Sequence, residues 1–280
     1  MTAERCGHGG LALWAATAFF VVLVGFVGPG CGGDRTGGPR GAPQSVVGAA
    51  PARTRAAGSA RVDIGVGERL AGTGVLRFQG GTLRARLRLA PVRAAAAAGT
   101  PVDVVVDGAS GWVRASAPEA SPWIAGSFPT LAGAATARLG ADRAVEQLLR
   151  RPGAGLEVAA LAGATHVETY GGAEVRGAST IRYHLILDLQ RAADAVATSG
   201  GAPAVAAELR DAAVAGAARF PADVWIDGRG RVRRLQLPAD PTATSTTVSA
   251  DNVPIGVLTI DLFDFGVPAT VEDPAAPVGS

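Results

Sequence analysis

The stretch from Leu11 to Cys31 constrains this chain most, because it decides in which compartment everything behind it folds. From Leu11 to Val27 there is no charged residue. At about 1.5 Å per helical residue the run is roughly 26 Å long, slightly short of a bilayer's hydrocarbon core. Gly28, Pro29 and Gly30 then break any helix, one cysteine follows, and behind it comes a Gly/Pro/Arg-rich tract without hydrophobic period. That is the layout of a signal peptide, residues 1–30, ending at Cys31. An uncleaved single-span anchor is the other reading. Either one places the rest of the chain outside the cytoplasmic membrane.

The same terminus resembles the lipobox of bacterial lipoproteins, with Gly30 before Cys31 and Gly32-Gly33 after it. That resemblance implies cleavage before Cys31, acylation of its thiol with chains such as palmitate, and a lipid anchor on the extracytoplasmic face of the cell membrane. Cysteine usage is compatible with export. The chain has only Cys6 and Cys31; the first leaves with the signal peptide and the second carries lipid, so stability must come from a core rather than a disulfide. About 220 residues behind the tether suffice for one. All 26 basic residues are arginine, a coding bias expected of a GC-rich actinobacterium, and the net charge of +2 leaves no footprint for nucleic acid.

Residues 31–57 read as a lipidated flexible tether, too poor in large apolar side chains to fold alone, with Ser45 to Ala57 able to form a short helix when docked. As a coil of some 26 residues it spans about 25 to 30 Å. A folded domain is expected over residues 58–275, with a tail at 276–280. From Arg61 the hydrophobic period becomes two. Leu83 to Leu89 alternates most regularly, with Leu83, Ala85, Leu87 and Leu89 on one face and Arg84, Arg86 and Arg88 on the other. Those arginines fit the solvated outer face of an antiparallel sheet. Further strands are expected at Gly74 to Phe78, Val102 to Asp107, Gly111 to Arg114, Thr165 to Arg176, Thr180 to Leu187, Ala222 to Asp227, Val232 to Leu237, Thr246 to Ser249 and Gly256 to Phe265. Gly80-Gly81 and Gly228-Arg229-Gly230 read as hairpin turns.

Three helices are expected: Asp142 to Arg151, Leu189 to about Thr198, and Pro203 to Ala218. No βαβ alternation occurs, which excludes a parallel α/β domain. The inventory is equally poor for catalysis. Only His166 and His184 remain in the domain, no serine sits in a Gly-x-Ser-x-Gly elbow, and two histidines on separate strands make no metal ligand set. Trp123, behind Pro122, reads as a plug at the edge of the core rather than a sugar platform.

Three motifs carry a resemblance. Phe220-Pro-Ala-Asp-Val-Trp-Ile-Asp-Gly-Arg-Gly-Arg-Val-Arg-Arg-Leu is similar to a hairpin of the LppX/LprG family of actinobacterial lipoproteins. Thr165 to Leu189, with Gly172, Glu174, Arg176-Gly177, Thr180 and Tyr183-His184, resembles that family's strand pair. Asp264-Phe265-Gly266-Val267-Pro268, followed by Val271 and Pro274, resembles its closing segment. The resemblance covers roughly Arg61 to Pro274 and implies an α+β fold of LolA/LolB type: a strongly curved antiparallel half-barrel of about 10–11 strands, with a few helices across its open side. It further implies an apolar cavity for the acyl chains of a diacyl or triacyl glycolipid, carriage or presentation of that lipid in the envelope beside a lipid transporter, and no cofactor.

On this reading the cavity is lined by Leu87, Leu89, Val104, Val106, Leu185, Leu187, Val224, Ile226, Leu235 and Leu237, the inner face of five strands. An anchored envelope interaction protein with a filled core and no lipid is the competing expectation.

Overall fold

The computed structural model describes residues 41–274 except 68, 80–81, 92–98, 109, 118–120, 151–153, 200–202, 215–217, 240–255 and 272–273. The expected signal peptide, Cys31 and first part of the tether, the strand Thr246 to Ser249, the Gly80-Gly81 turn and the C-terminal tail lie outside the described residues. Eleven strands form one sheet: β1 (Ser59–Val66), β2 (Arg69–Gln79), β3 (Thr82–Leu89), β4 (Val102–Asp107), β5 (Ser110–Ala115), β6 (Ile124–Ser127), β7 (Ala164–Val175), β8 (Ala178–Asp188), β9 (Arg219–Asp227), β10 (Val232–Pro238) and β11 (Val257–Phe263). Their spatial order is β6-β5-β4-β3-β2-β1-β11-β10-β9-β8-β7. Every neighbouring pair is antiparallel, and β6 and β7 are edges, so the sheet is open. The helices are α1 (Pro43–Ala56), α2 (Phe128–Leu139), α3 (Arg143–Arg150), α4 (Ala154–Ala160), α5 (Leu189–Thr198) and α6 (Pro203–Ala212), with a 3-10 turn at Leu161–Gly163.

Two faces of the sheet follow from the alternation. On β3, Ala85, Leu87 and Leu89 are buried while Arg86 and Arg88 are exposed; on β8, Tyr183, Leu185 and Leu187 are buried while Arg182 and His184 are not. A helix inside the sheet shows how far it curls. Six strand spacings separate β2 from β7, about 29 Å if the sheet were flat. A helix is only about 10–12 Å across, yet α1 touches both strands and β10 as well. The sheet therefore wraps around α1.

That helix shortens the expected tether. Residues 43–56 are structured, with Val46, Val47 and Ala50 in the core, because those three side chains fall on one side of the helix and the concave face has apolar area to cover. The first turn is fixed where the Gln44 side-chain amide donates to the Ala164 carbonyl. The last is fixed by Thr54, whose hydroxyl donates to Ala50 O at 2.8 Å and accepts the Val232 N–H at 3.0 Å. The buried Thr54 hydroxyl and Val232 N–H are thereby satisfied. Gly230, at φ +77°, lies under Arg53, where a Cβ would meet the guanidinium at 2.2 Å.

Among the described residues there are six α-helices: the docked helix allowed at Ser45 to Ala57 is α1, the three expected ones are α3, α5 and α6, and α2 and α4 are additional. α2 begins after Ser127 with Pro129 in its first turn and stops at Gly140 in the left-handed conformation, an entry and exit that the sequence does signal. It settles onto two glycines of the sheet: a Cβ at Gly111 or Gly126 would meet Leu131 at 3.5 or 3.8 Å. The helix Leu189–Thr198 is as expected, with Asp188 Oδ1 accepting from the Arg191 N–H at 3.0 Å as its N-cap. The third expected helix is α-helical over Pro203–Ala212 and runs on as a π turn through Ala213 and Val214, beyond which 215–217 lie outside the described residues.

Candidate functional site: an apolar recess on the concave face

The recess is built from the middle of the sheet. β1 supplies Ile64, β3 Leu87 and Leu89, β4 Val104 and Val106, and β11 Leu258 and Ile260; the roof is Phe128 of α2, Leu148 and Leu149 of α3, and Glu157 of α4. Register brings these strands together. Ile64 pairs with Ile260 and with Gly72, Leu89 pairs with Gly72 and Val102, and Leu87 pairs with Gly74 and Val104. β2 thus presents two glycines to the interior where its neighbours present Ile64, Leu87 and Leu89. A Cβ on Gly72 would stand 2.6 Å from Leu89 Cδ2, and one on Gly74 would stand 2.2 Å from the Arg86 carbonyl oxygen. The two leucines therefore lean over bare backbone, which is the close approach that glycine inside a strand permits.

The free volume of the recess is about 40 Å³. That is room for about two or three waters. Ten of the eleven lining side chains are apolar, Glu157 being the exception. The roof is made of short pieces: α3 packs on α2, while α4 packs on α5, α6 and the 3-10 turn.

Of the ten residues expected to line a cavity, the structure gathers Leu87, Leu89, Val104 and Val106 in this recess. Leu185, Leu187, Val224, Ile226, Leu235 and Leu237 are on the same concave face and buried, but they do not line it. They lie on β8, β9 and β10, in the part of the sheet that α1, α5 and the 3-10 turn cover. Sequence reasoning missed Ile64, Leu258 and Ile260, although the alternation of β1 and β11 puts them on the apolar side. It also missed Phe128, since α2 was not expected, and Glu157.

The convex face is built differently over β8 to β11. Asp227 accepts the backbone N–H groups of Arg229 and Arg231 at 3.0 and 2.9 Å, and Nε–H groups of Arg231 and Arg233 at 3.0 and 2.8 Å. Burial works against its charge, but the backbone donor of Arg231 and the two guanidinium groups outweigh it and hold the carboxyl below the usual range. Arg234 pairs with Asp261 at 2.6 and 2.7 Å. Arg176, at φ +49° in the β7–β8 turn, reaches Asp63 and Asp261 and lies over the Phe263 ring at 4.1 Å. His184 Nδ1 is 3.1 Å from Asp223, and Arg182 lies 5.4 Å from the Tyr170 ring and 5.1 Å from Trp225. His184 is therefore outward, as its place in the alternation implies. Trp123 is half-buried beneath the Arg114 guanidinium at 4.6 Å.

Burial pushes the Tyr183 phenol up, and burial together with Asp211 pushes the Glu208 carboxyl up. Like Asp227, neither lines the recess.

No protein-family profile matches the chain, and no curated protein matches it. Solved structures do. The chain is similar to LprF from Mycobacterium bovis at 15% identity and a TM-score of 0.47, over 85% of this chain and 99% of that one. It is similar to the lipoprotein LppX of Mycobacterium tuberculosis at 16% identity and a TM-score of 0.43, over 82% of this chain and 98% of that one. A putative outer membrane lipoprotein-sorting domain from Vibrio parahaemolyticus follows at 10% identity and 0.28, over 79% and 90%.

Proposed function

We propose that the protein is an exported lipoprotein, anchored through acylated Cys31 on the outer face of the cytoplasmic membrane, which takes acyl chains of a diacyl or triacyl lipid into the recess and carries or presents them in the envelope. The observation that carries this reading is the recess itself: an apolar groove at the centre of a folded domain, where a well-packed interior leaves almost no space. Each buried methylene contributes about 0.8 kcal/mol, so long chains bind an apolar groove tightly without specific polar contacts. The recess as it stands is smaller than such a chain. An occupant enters by displacing the short roof helices α3 and α4, which leaves the α1-filled side in place.

Native mass spectrometry of the protein purified from a lipid-rich actinobacterial host, followed by organic extraction, tests the proposal. Lipid released on dissociation, together with an acyl mass on the wild type that Cys31→Ser lacks, is the expected result. An acylated chain that never carries a second lipid would leave the filled-core interaction protein instead.

A further inference from the structure

The two ends of the sheet differ in chemistry. One end gathers the Arg176-Gly177 turn, the Gly228 to Gly230 turn, Asp107, Gly108 and Ser110, and Asp264 to Gly266, where arginine and aspartate alternate with glycine and Phe265 is half-buried under Arg231. The other end is traced by the register from Ala164 through Leu187, Asp188 and Arg219, then Pro238 and Val257, to Val66 and Arg69. Among the described residues four large apolar side chains stand exposed, and three are here: Leu70 at 57%, Val257 at 47% and Val214 at 86%. Leu70 pairs with Gly65, and Val257 O accepts the Gly67 N–H, so those two flank the β1–β2 turn. Val214 lies four residues before Ala218, whose carbonyl accepts the Leu189 N–H at this same end.

The chain enters here too, because Gln44 in the first turn of α1 bonds Ala164. Eleven residues separate Cys31 from Pro43, twelve peptide steps in all. Fully extended they span at most about 40 Å, and as a coil about 20 Å.

We infer that this end is the membrane-facing surface of the domain, with Leu70, Val214 and Val257 entering the acyl boundary of the bilayer and the polar turns of the opposite end turned to the aqueous phase. The inference rests on Cys31 being the anchor. A short tether fixed at this end brings these three side chains to the lipid surface, and apolar side chains held at that depth are drawn into it.

The test uses the full chain with Cys6→Ser, carrying an environment-sensitive fluorophore at Leu70→Cys, Val214→Cys, Val257→Cys or, at the opposite end, Arg229→Cys. All four positions are exposed, so labelling leaves the core intact. In vesicles of phosphatidylcholine and phosphatidylglycerol containing acyl-brominated lipid, the first three labels are expected to shift to the blue and lose intensity, while the Arg229→Cys label keeps its aqueous emission. Quenching at Arg229→Cys, or at none of the four, overturns the inference. Intact mass of the same preparations reports the acyl group on Cys31 separately, so loss of the anchor reading is told apart from loss of this orientation.

Discussion

The sheet has one continuous apolar face, but its two halves are covered in different ways. Over β7 to β10 the cover is α1 and α5 with the 3-10 turn, and the convex side is braced by Arg–Asp pairs and by arginines stacked on Trp225, Phe263 and Phe265. Over β1 to β4 and β11 the cover is α2, α3 and α4, and the recess lies beneath them. There the convex side carries fewer pairs, Arg84 with Asp107 at 3.6 Å and Arg114 with Asp103 at 3.2 Å, and Arg86 and Arg88 are exposed. The difference teaches that a curved sheet of uniform hydrophobicity keeps free space where its covering helices are short and its strands contain glycine. A full-length helix threaded along the inside, such as α1, removes the room.

The largest effect is expected in the braced half. Asp227→Ala leaves Arg231 and Arg233 without their carboxylate in a nearly buried setting, and unfolding in denaturant should show a loss of about 3 kcal/mol, as for breaking one side of a buried pair. Acid gives the same group a second readout. Its folded pKa is depressed, so its stabilisation is fully present above the unfolded carboxylate pKa of about 3.9 and fades as pH falls through the folded value. The wild type should therefore lose stability below about pH 4 more steeply than Asp227→Ala. Glu208, whose pKa is raised, acts with the opposite sign in both proteins and cancels in the difference.

A smaller contrast compares packing directly. Val224→Phe puts a ring into the filled half, where overpacking costs about 1 to 3 kcal/mol, whereas Val104→Phe points into the recess and should cost less than about 1 kcal/mol. Equal melting losses in the two variants would break the distinction between the halves. Least is expected of the outer arginines: converting Arg84, Arg86 and Arg88 to Gln should alter stability by no more than about 0.5 kcal/mol each and leave lipid recovery as it was.

The strands were readable because a half-buried sheet writes its period into the sequence, as Leu83 to Leu89 and Thr180 to Leu187 show. The full β7–β8 pair carries bulges around His166 and Tyr170 that alternation alone does not reveal. β6 was unreadable, since Ile-Ala-Gly-Ser has neither length nor pattern. α1 was read mostly as tether because Val46, Val47 and Ala50 sit among Gly, Pro, Ala and Arg, and only the concave face gives them a partner. For the same reason the face of the candidate site was legible and its extent was not. All ten expected residues point inward, but which of them border free space is decided by α1, α2 and α3, whose positions are tertiary facts.

Photo-crosslinking with a diazirine-bearing diacyl lipid, followed by peptide mapping, tests the central claim most directly. Adducts are expected on the peptides holding Leu87 and Leu89, Val104 and Val106, and Leu148 and Leu149. Adducts on Leu185 to Leu187, Val224 to Ile226 or Leu235 to Leu237, or bound lipid that crosslinks to none of the recess strands, would contradict it.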